Sequence, residues 1–194
     1  VYGLDVLRVT AIAVVSCVVV EYLIQRFLIK GDCTVKNLSA VLTGVLLAFN
    51  LPSDIPWWIV VIGAVVAIGV AKMTFGGLGR NPFNPALVGR VFLLIAYPVQ
   101  MTSFPQPISP EFVDAFAGAT PLAALKAQAV ELGDVNFLNM LSGVMPGSLG
   151  EISAISLLVG GVYMIWRKVI TWHIPVAVLG SMAVFAFVVA AFTG

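Results

Sequence analysis

Charged residues are scarce in this chain. Only 10% of its 194 residues are Asp, Glu, Lys or Arg, against roughly 25% in an ordinary soluble domain. Mean hydropathy is +1.07. So few charged residues cannot cover the long apolar runs, which excludes a water-soluble domain and predicts an all-α protein that crosses a membrane several times. The net charge of +1 offers no basic surface, and we expect no nucleic-acid partner.

Side chains that bind metals or catalyse reactions are also few. Cys17 lies in an apolar run, Cys33 lies in a short polar link, and His173 is the only histidine. This set has neither the number nor the spacing of a thiolate or histidine site, so we predict no metal site. No Ser-His-Asp set or catalytic carboxylate pair is evident, and no catalytic side chain is expected.

Six apolar segments make up most of the chain. They are Val6–Ile29, Leu38–Leu51, Trp57–Ala71, Ala86–Tyr97, Ile152–Trp166 and Ile174–Phe192. Several fall below the roughly 20 residues that a simple membrane span needs, and Gly and Pro bound them. Such segments predict short or broken helices, whose irregular backbone is tolerated at membrane depth only inside protein or along a cavity. We predict a single transmembrane domain over residues 1–194.

Basic residues collect on one side of this predicted domain. If the six segments alternate, seven cations fall at one face: Arg26, Lys30, Lys36, Lys72, Arg80, Arg167 and Lys168. The other face receives Asp54 and a polar loop of about residues 99–150, in which Lys126 is the only cation. Short cytoplasmic connections are rich in Lys and Arg, so the loop is predicted to be extracytoplasmic. Val1 then also lies outside, which suggests that a preceding helix is missing.

A glycine-rich stretch, "FGGLGRNPFNPALVGR", precedes the fourth segment. Its glycines permit positive φ angles, and its prolines predict a turn followed by a helix that starts near Pro85. Asn81 and Asn84 supply amides that either cap free backbone groups or contact a ligand. No G-x-x-x-x-G-K-[ST] pattern is present, which excludes a nucleotide-binding P-loop.

Three acidic residues lie in or beside apolar segments. Glu21 interrupts the first segment and Asp5 lies beside it, where an acid serves either an ion path or, as we favour, an ion pair with Arg26 or Arg8. Glu151 follows a break at Pro146-Gly147-Ser148 and is expected to cap a helix at the membrane edge. If Glu151 lies deeper, burial of its charge requires a partner or a function.

The stretch "GATPLAALKAQAVEL" admits two interpretations. Thr120 suits an N-cap and Pro121 the first helical position, which predicts a helix with an apolar stripe. The same geometry suits a phosphate group, because a helix N-terminus offers free N–H groups and a positive dipole. Gly118 and Ala119 leave room for a bulky anionic group to reach the hydroxyl. Spacing alone leaves both interpretations open.

Further stretches carry a family resemblance along nearly the whole chain. They are "VYGLDVLRV", "LTGVLLAFNLPSDIPWW", "FGGLGRNPFNPALVGRVFLLIAYPVQMTS", "DAFAGATPLA", "PGSLGEIS" and "WHIP". With them the chain resembles the family of the D subunit of the Rnf ferredoxin:NAD oxidoreductase and, more distantly, the B subunit of the sodium-translocating NADH:quinone reductase. This resemblance implies a helical membrane fold of urea-transporter-like repeats. It also implies that the chain is incomplete at both ends.

The resemblance also implies a modification site. In this family a flavin transferase esterifies the phosphate of FMN to a Thr in the pattern D-x-x-[ST]-G-A-T. The matching residues here are Asp114, Gly118, Ala119 and Thr120, followed by Pro121. Ala117 departs from the pattern, since Ser or Thr is usual there. The resemblance therefore implies that Thr120 carries covalent FMN.

Function, partners and location follow as implications of the same resemblance. The implied function is that of a membrane subunit that relays electrons between ferredoxin and NAD, coupled to Na⁺ or H⁺ transport. The implied location is the cytoplasmic membrane of a bacterium or archaeon. The partners implied are the A, B, C, E and G subunits of Rnf, the flavin transferase and membrane lipid. Family members also hold unattached riboflavin, which we expect near Asn81, Asn84 or Ser148.

Two other functions compete with this one. The broken helices of a channel or carrier for a small polar solute would show the same pattern without a flavin. A structural scaffold that holds other subunits would show it too. A flavin that survives denaturation and depends on Thr120 distinguishes the first function from both alternatives.

Overall fold

The computed structural model describes residues 4–30, 34–105, 117–118, 137–143, 146–151 and 153–193. Within this part the chain is helical, apart from one two-residue antiparallel ladder. The α-helices are α1 (Asp5–Leu23), α2 (Ser39–Phe49), α3 (Trp57–Val65), α4 (Pro85–Ala96), α5 (Pro98–Thr102), α6 (Phe137–Ser142), α7 (Ala154–Trp166) and α8 (His173–Thr193). The strands are β1 (Phe104–Pro105) and β2 (Ala117–Gly118). A 3₁₀ turn, Thr34–Asn37, precedes α2.

Two of these helices continue as π-helical turns. Ile24–Ile29 extends α1, and Val66–Met73 extends α3. Lys30 ends the first turn in the left-handed conformation, at φ 53°. Wide turns of this kind are rare and occur often at functional sites. The second one carries Lys72, whose contacts are described below.

The face of α1 that packs inside the fold repeats every four residues. Its buried members are Val9, Ala13, Cys17 and Glu21, and Gln25 continues the row into the π-helical turn. Residues four apart lie on one face of a helix, so this row forms a continuous stripe. Mostly small residues in the stripe let a neighbouring helix approach closely.

That neighbour is α2, which presents a matching row. Ala40, Gly44 and Ala48 are spaced by four and all buried. A Cβ atom added at Gly44 would lie 2.7 Å from the Cα atom of Val14 on α1. The two backbones therefore touch at this glycine, in the close packing that small residues permit between membrane helices.

A second close contact joins α3 to α4. A Cβ atom at Gly89 on α4 would lie 3.0 Å from the carbonyl oxygen of Gly63 on α3. The Leu93 side chain covers Gly63 from the other direction, and both Leu93 and Leu47 are completely buried. α1 to α4 thus share one core.

The acidic turn between α2 and α3 lies at the end of the fold where α1 begins. Burial raises the pKa of Asp54 above its usual range. A hydrogen bond to its own backbone opposes that rise, and the nearby Asp5 carboxylate adds to it. Lys72, at the opposite end of α3, meets Glu21 and Ser39. The predicted orientation of these connections across a membrane stays a prediction.

Residues 1–153 and 154–194 form separate compact units. The second unit contains α7 and α8, whose large apolar side chains are exposed almost throughout. Within the described residues, two helical stretches are long and apolar enough to cross a membrane, Asp5–Ile29 and His173–Phe192. The other four apolar helices are shorter. Exposed apolar surface of this extent favours a lipid environment over water.

The helical class and the six apolar segments predicted from the sequence are confirmed. Each segment is a helix in the structure, and four are too short for a simple span, as expected. The number of membrane crossings stays a prediction. The predicted helix start at Pro85 is also confirmed, because the Asn84 side chain caps α4 by accepting from the N–H of Ala86 at 3.0 Å.

Candidate functional site

A buried ion pair lies where α1, α2 and α3 meet. The Lys72 ammonium donates to the Glu21 carboxylate, and both side chains are almost completely inaccessible to solvent. Lys72 also donates to the hydroxyl of Ser39 at 2.7 Å. Gln25 approaches the other Glu21 oxygen at 3.5 Å. Burial of two charges is costly unless they are paired and hydrogen-bonded, and here both conditions hold.

The predicted pairing of Glu21 with Arg26 or Arg8 is wrong. Glu21 binds Lys72, which is 51 residues away in sequence. Arg26 is exposed, whereas Glu21 lies on the inner stripe of α1. Arg8 is thirteen residues away on the same helix, about 20 Å along its axis. Lys72 is therefore buried and paired, although its position in the sequence predicted a cation at the basic face.

A cavity of about 360 Å³ adjoins this ion pair. Its polar lining consists of Ser39, Thr43, Lys72, Asn81 and Asn84. Its apolar lining consists of Leu42, Leu46, Leu78, Pro82, Phe83 and Pro85. Ligand pockets commonly combine mostly apolar walls with a few polar groups, as this cavity does.

The two asparagines at the cavity are held by the glycine-rich turn. With its amide nitrogen turned inward, Asn81 donates to the carbonyl oxygens of Gly77 and Lys72, both at 3.0 Å. This arrangement leaves the Asn81 amide oxygen as an acceptor. Asn84 uses its amide oxygen for the α4 cap, which leaves its amide nitrogen as a donor. Positive φ angles at Gly76, Gly77 and Gly79 form the turn that brings the two residues together.

The floor of the cavity carries two more donors. Lys72 has three N–H groups, and its bonds to Glu21 and Ser39 use two of them. The hydroxyl of Ser39 accepts from Lys72 and still has its own hydrogen to donate. A ligand in this cavity would therefore meet several donors, at least one acceptor and a nearby positive charge.

A second polar cluster lies away from this cavity. Arg90 on α4 donates to Glu151 and to the amide oxygen of Asn50, each at 2.8 Å. The Ser148 hydroxyl donates to the other Glu151 oxygen at 3.2 Å. Gly150 adds a backbone bond to the carbonyl of Phe49 at 2.8 Å. Together these contacts attach residues 148–151 to the end of α2 and the middle of α4.

This cluster contains two residues that the sequence analysis singled out. Glu151 has a partner, Arg90, that the sequence did not identify. Ser148, expected together with Asn81 and Asn84 as a residue near a flavin, belongs to this second cluster and does not line the cavity. The structure brings Asn81 and Asn84 together but not Ser148.

The predicted flavin attachment site falls mostly outside the described residues. Asp114, Ala119, Thr120 and Pro121 are among those not described. Gly118 is described, as the residue of β2 that pairs with the buried Phe104 of β1. The predicted N-cap role of Thr120 therefore stays a prediction, as does its modification.

Lys72, the partner of Glu21, is the main residue that the sequence pattern alone did not reveal. A signal for Glu21 was present, because it continues the four-residue row of small apolar residues on α1. A carboxylate on such a stripe must find a partner inside the fold. Among the described residues no group of three His, Cys, Asp or Glu side chains could hold a metal ion.

Comparison with known proteins identifies relatives of the whole chain. The D subunit of the Na⁺-translocating ferredoxin:NAD⁺ oxidoreductase complex of Acetobacterium woodii is 48% identical over 193 residues, which cover 97% of this chain and 58% of that protein. The D subunit of the proton-translocating complex of Clostridium ljungdahlii is 40% identical over 200 residues, covering 100% and 60%. The D subunit of an ion-translocating oxidoreductase complex of Escherichia coli O81 is 37% identical over 219 residues, covering 95% and 62%.

The chain spans about three fifths of the length of the curated relatives that it matches. The family described as NQR2, RnfD, RnfE matches residues 1–193. On this match, and on identities of 37 to 48%, the chain belongs to the NQR2, RnfD and RnfE family.

Proposed function

We propose that this chain is part of a membrane subunit of an ion-translocating ferredoxin:NAD oxidoreductase complex. The observation that carries the proposal is the 48% identity, over 193 residues, to a protein that bears this name. In this function the chain relays electrons between ferredoxin and NAD, and the electron flow is coupled to Na⁺ or H⁺ movement. It acts as a non-autonomous subunit of that enzyme complex, like the relatives whose names describe them as subunits.

The first proposed cofactor is FMN, joined through its phosphate to the hydroxyl of Thr120. Asp114, Gly118 and Ala119 form the recognition pattern before the acceptor, and Pro121 follows it. The β1–β2 ladder supports the proposal because it fixes the chain at Gly118, two residues before Thr120. When bound, FMN supplies one- and two-electron exchange.

The second proposed cofactor is non-covalent riboflavin in the cavity beside Lys72. The residues present fit such a ring, since apolar walls adjoin donors on Ser39 and Asn84 and an acceptor on Asn81. The cavity volume of about 360 Å³ lies in the range of small-molecule sites. Asn81 and Asn84 would hold the polar edge of the ring. Ser148 does not line this cavity and has no part in the proposed site.

Partners and location follow from the proposed complex. The partners are its A, B, C, E and G subunits, the flavin transferase during maturation, and membrane lipid around the exposed apolar helices. The location is a bacterial or archaeal cytoplasmic membrane, with the Thr120 loop outside the cytoplasm. The distribution of Lys and Arg along the sequence supports this orientation.

Deletion of the gene tests this function directly. We expect membranes from the deletion strain to lose ferredoxin-dependent NAD reduction completely, and the wild-type gene to restore it. Uptake of small polar solutes should not change, because the proposed subunit moves electrons and its coupling ion only. Retained NAD reduction together with lost solute uptake would support a channel or carrier instead.

Substitutions at Asn84 separate its structural role from its proposed ligand role. Asn84→Ala removes the α4 cap and should lower stability by about 1 kcal/mol, whereas Asn84→Ser keeps a capping oxygen. Both variants lose the amide nitrogen beside the cavity, so both should release non-covalent flavin several-fold more readily. Thermal stability of the purified complex and the extracted flavin content measure the two effects. A normal flavin content in Asn84→Ser would argue against this cavity as the riboflavin site.

A further inference from the structure

The ion pair and the cavity share residues. Lys72 and Ser39 belong to both, whereas Glu21 belongs only to the ion pair. A ligand in the cavity would therefore lie next to the ammonium group, with the carboxylate one hydrogen bond further away. Both charged side chains are almost completely inaccessible to solvent, so water screens their charges little.

Stability alone does not explain why these two charges are buried. Replacement of a buried ion pair by well-packed apolar residues is often neutral or stabilising, so the pair is weak evidence for a purely structural role. Ionisable residues inside membrane proteins are costly to bury and are generally functional. Both charges also lie on or next to π-helical turns, Lys72 within one and Glu21 three residues before the other.

We propose that Lys72 and Glu21 tune the reduction potential of the non-covalent flavin in this cavity, with opposite signs. This inference rests on the riboflavin part of the proposed function. Lys72 would stabilise the negative charge that a flavin gains on reduction, and so raises the reduction potential of the flavin. Glu21 would destabilise that charge, and so lowers the reduction potential. Because Lys72 lines the cavity and Glu21 does not, the influence of Lys72 is the larger.

Ser39 keeps the ammonium group in place for this role. Its hydroxyl accepts from Lys72 at 2.7 Å, and Asn37 fixes the start of α2 by accepting from the Ser39 N–H at 3.1 Å. The carbonyl of Lys72 is held in turn by the amide of Asn81. Lys72 is thus attached to both walls of the cavity, so its position relative to a ligand is well defined.

The test uses the intact complex purified from its host, carrying Thr120→Val so that flavin on this residue does not contribute. Three versions are compared: the parent, Glu21→Gln, and the double variant Glu21→Gln/Lys72→Met. Non-covalent flavin is first extracted and quantified in each, and its midpoint potential is then measured by redox titration. We expect Glu21→Gln to shift the potential upward and the double variant to shift it below the parent. Glu21→Gln keeps an amide oxygen that accepts from Lys72, and the double variant avoids the unpaired carboxylate that Lys72→Met alone would leave, which is expected to prevent assembly.

Opposite shifts distinguish tuning from a structural role, since general loosening of the site would move both variants in the same direction. Thr10→Val is the matched control, because it removes a hydroxyl on α1 that bonds to the carbonyl of Val6 and does not line the cavity. Its potential should equal that of the parent. Equal potentials in all versions, with flavin content retained, would overturn this inference alone. Absence of extractable flavin from the parent would overturn the riboflavin proposal, and this inference with it.

Discussion

We expect Thr120→Val to remove the proposed covalent flavin from the subunit entirely. Valine has nearly the shape of threonine but no hydroxyl, so no phosphoester can form at this position. The intact mass of the native subunit should fall by one FMN less one water. The flavin fluorescence of its band on a denaturing gel should disappear under ultraviolet light. Ferredoxin-dependent NAD reduction should fall to the background of the deletion strain, because a relay that lacks one carrier is interrupted.

Thr102→Val is the matched control for this experiment. Thr102 is an exposed threonine at the end of α5, whose hydroxyl bonds to the carbonyl of Pro98 at 2.8 Å. It lies in the same predicted loop but outside the recognition pattern, and its loss should leave both mass and fluorescence unchanged. Protease added to the outside of intact cells should release the Thr120 peptide with its flavin. A bare Thr120 peptide from the natural complex, or one reached only from the cytoplasm, would contradict the proposal.

Local features of this fold could be predicted from the sequence because they depend on neighbouring residues. The α4 cap is an example, since Asn84 before Pro85 identifies the helix start without any knowledge of the tertiary structure. The apolar segments are another, because their boundaries are marked by Gly, Pro and polar residues. In each case one short stretch of sequence contains the whole cause.

Contacts between distant segments could not be predicted in the same way. Glu21 and Lys72 are 51 residues apart, and Arg90 and Glu151 are 61 apart. The nearest cation in sequence is the natural partner to expect for Glu21, and that expectation is wrong because Arg26 lies on the exposed side of the helix. The four-residue row from Val9 to Glu21 shows that side-chain direction decides the partner more reliably than distance in sequence.

The candidate site was also only partly predictable from the sequence. The sequence identified Asn81 and Asn84 as ligand candidates from residue type and turn context, and the structure brings both to one cavity. It could not identify Ser39 and Thr43 as their neighbours, because the start of α2 reaches the cavity only through its packing against α1 and α3. The polar lining is therefore assembled by tertiary structure from three separate stretches.

Gly44→Ala should destabilise the subunit strongly. The added Cβ atom would meet the Cα atom of Val14 at 2.7 Å and the carbonyl oxygen of Ala13 at 3.0 Å. Both are backbone atoms, which cannot move aside as a flexible side chain can. Overpacking of this kind costs about 1 to 3 kcal/mol. The cost should exceed the gain of about 1 kcal/mol that alanine brings to a helix interior.

Gly160→Ala in α7 is the matched control. Nothing lies within 4 Å of a Cβ atom at Gly160, so only the helix-propensity gain applies and stability should stay equal or rise slightly. Thermal unfolding of the purified complex, monitored by size-exclusion chromatography, compares the two variants. An unchanged midpoint in Gly44→Ala would show that α1 and α2 are not in backbone contact.

The effect of Gly44→Ala should also extend to the cavity. Gly44 lies five residues after Ser39 on α2, so separation of α2 from α1 would move the Ser39 hydroxyl away from Lys72. Non-covalent flavin should then be lost together with stability, whereas Gly160→Ala should retain it. The glycine would therefore serve two purposes: it permits close helix packing, and through that packing it fixes the position of the buried charge beside the ligand.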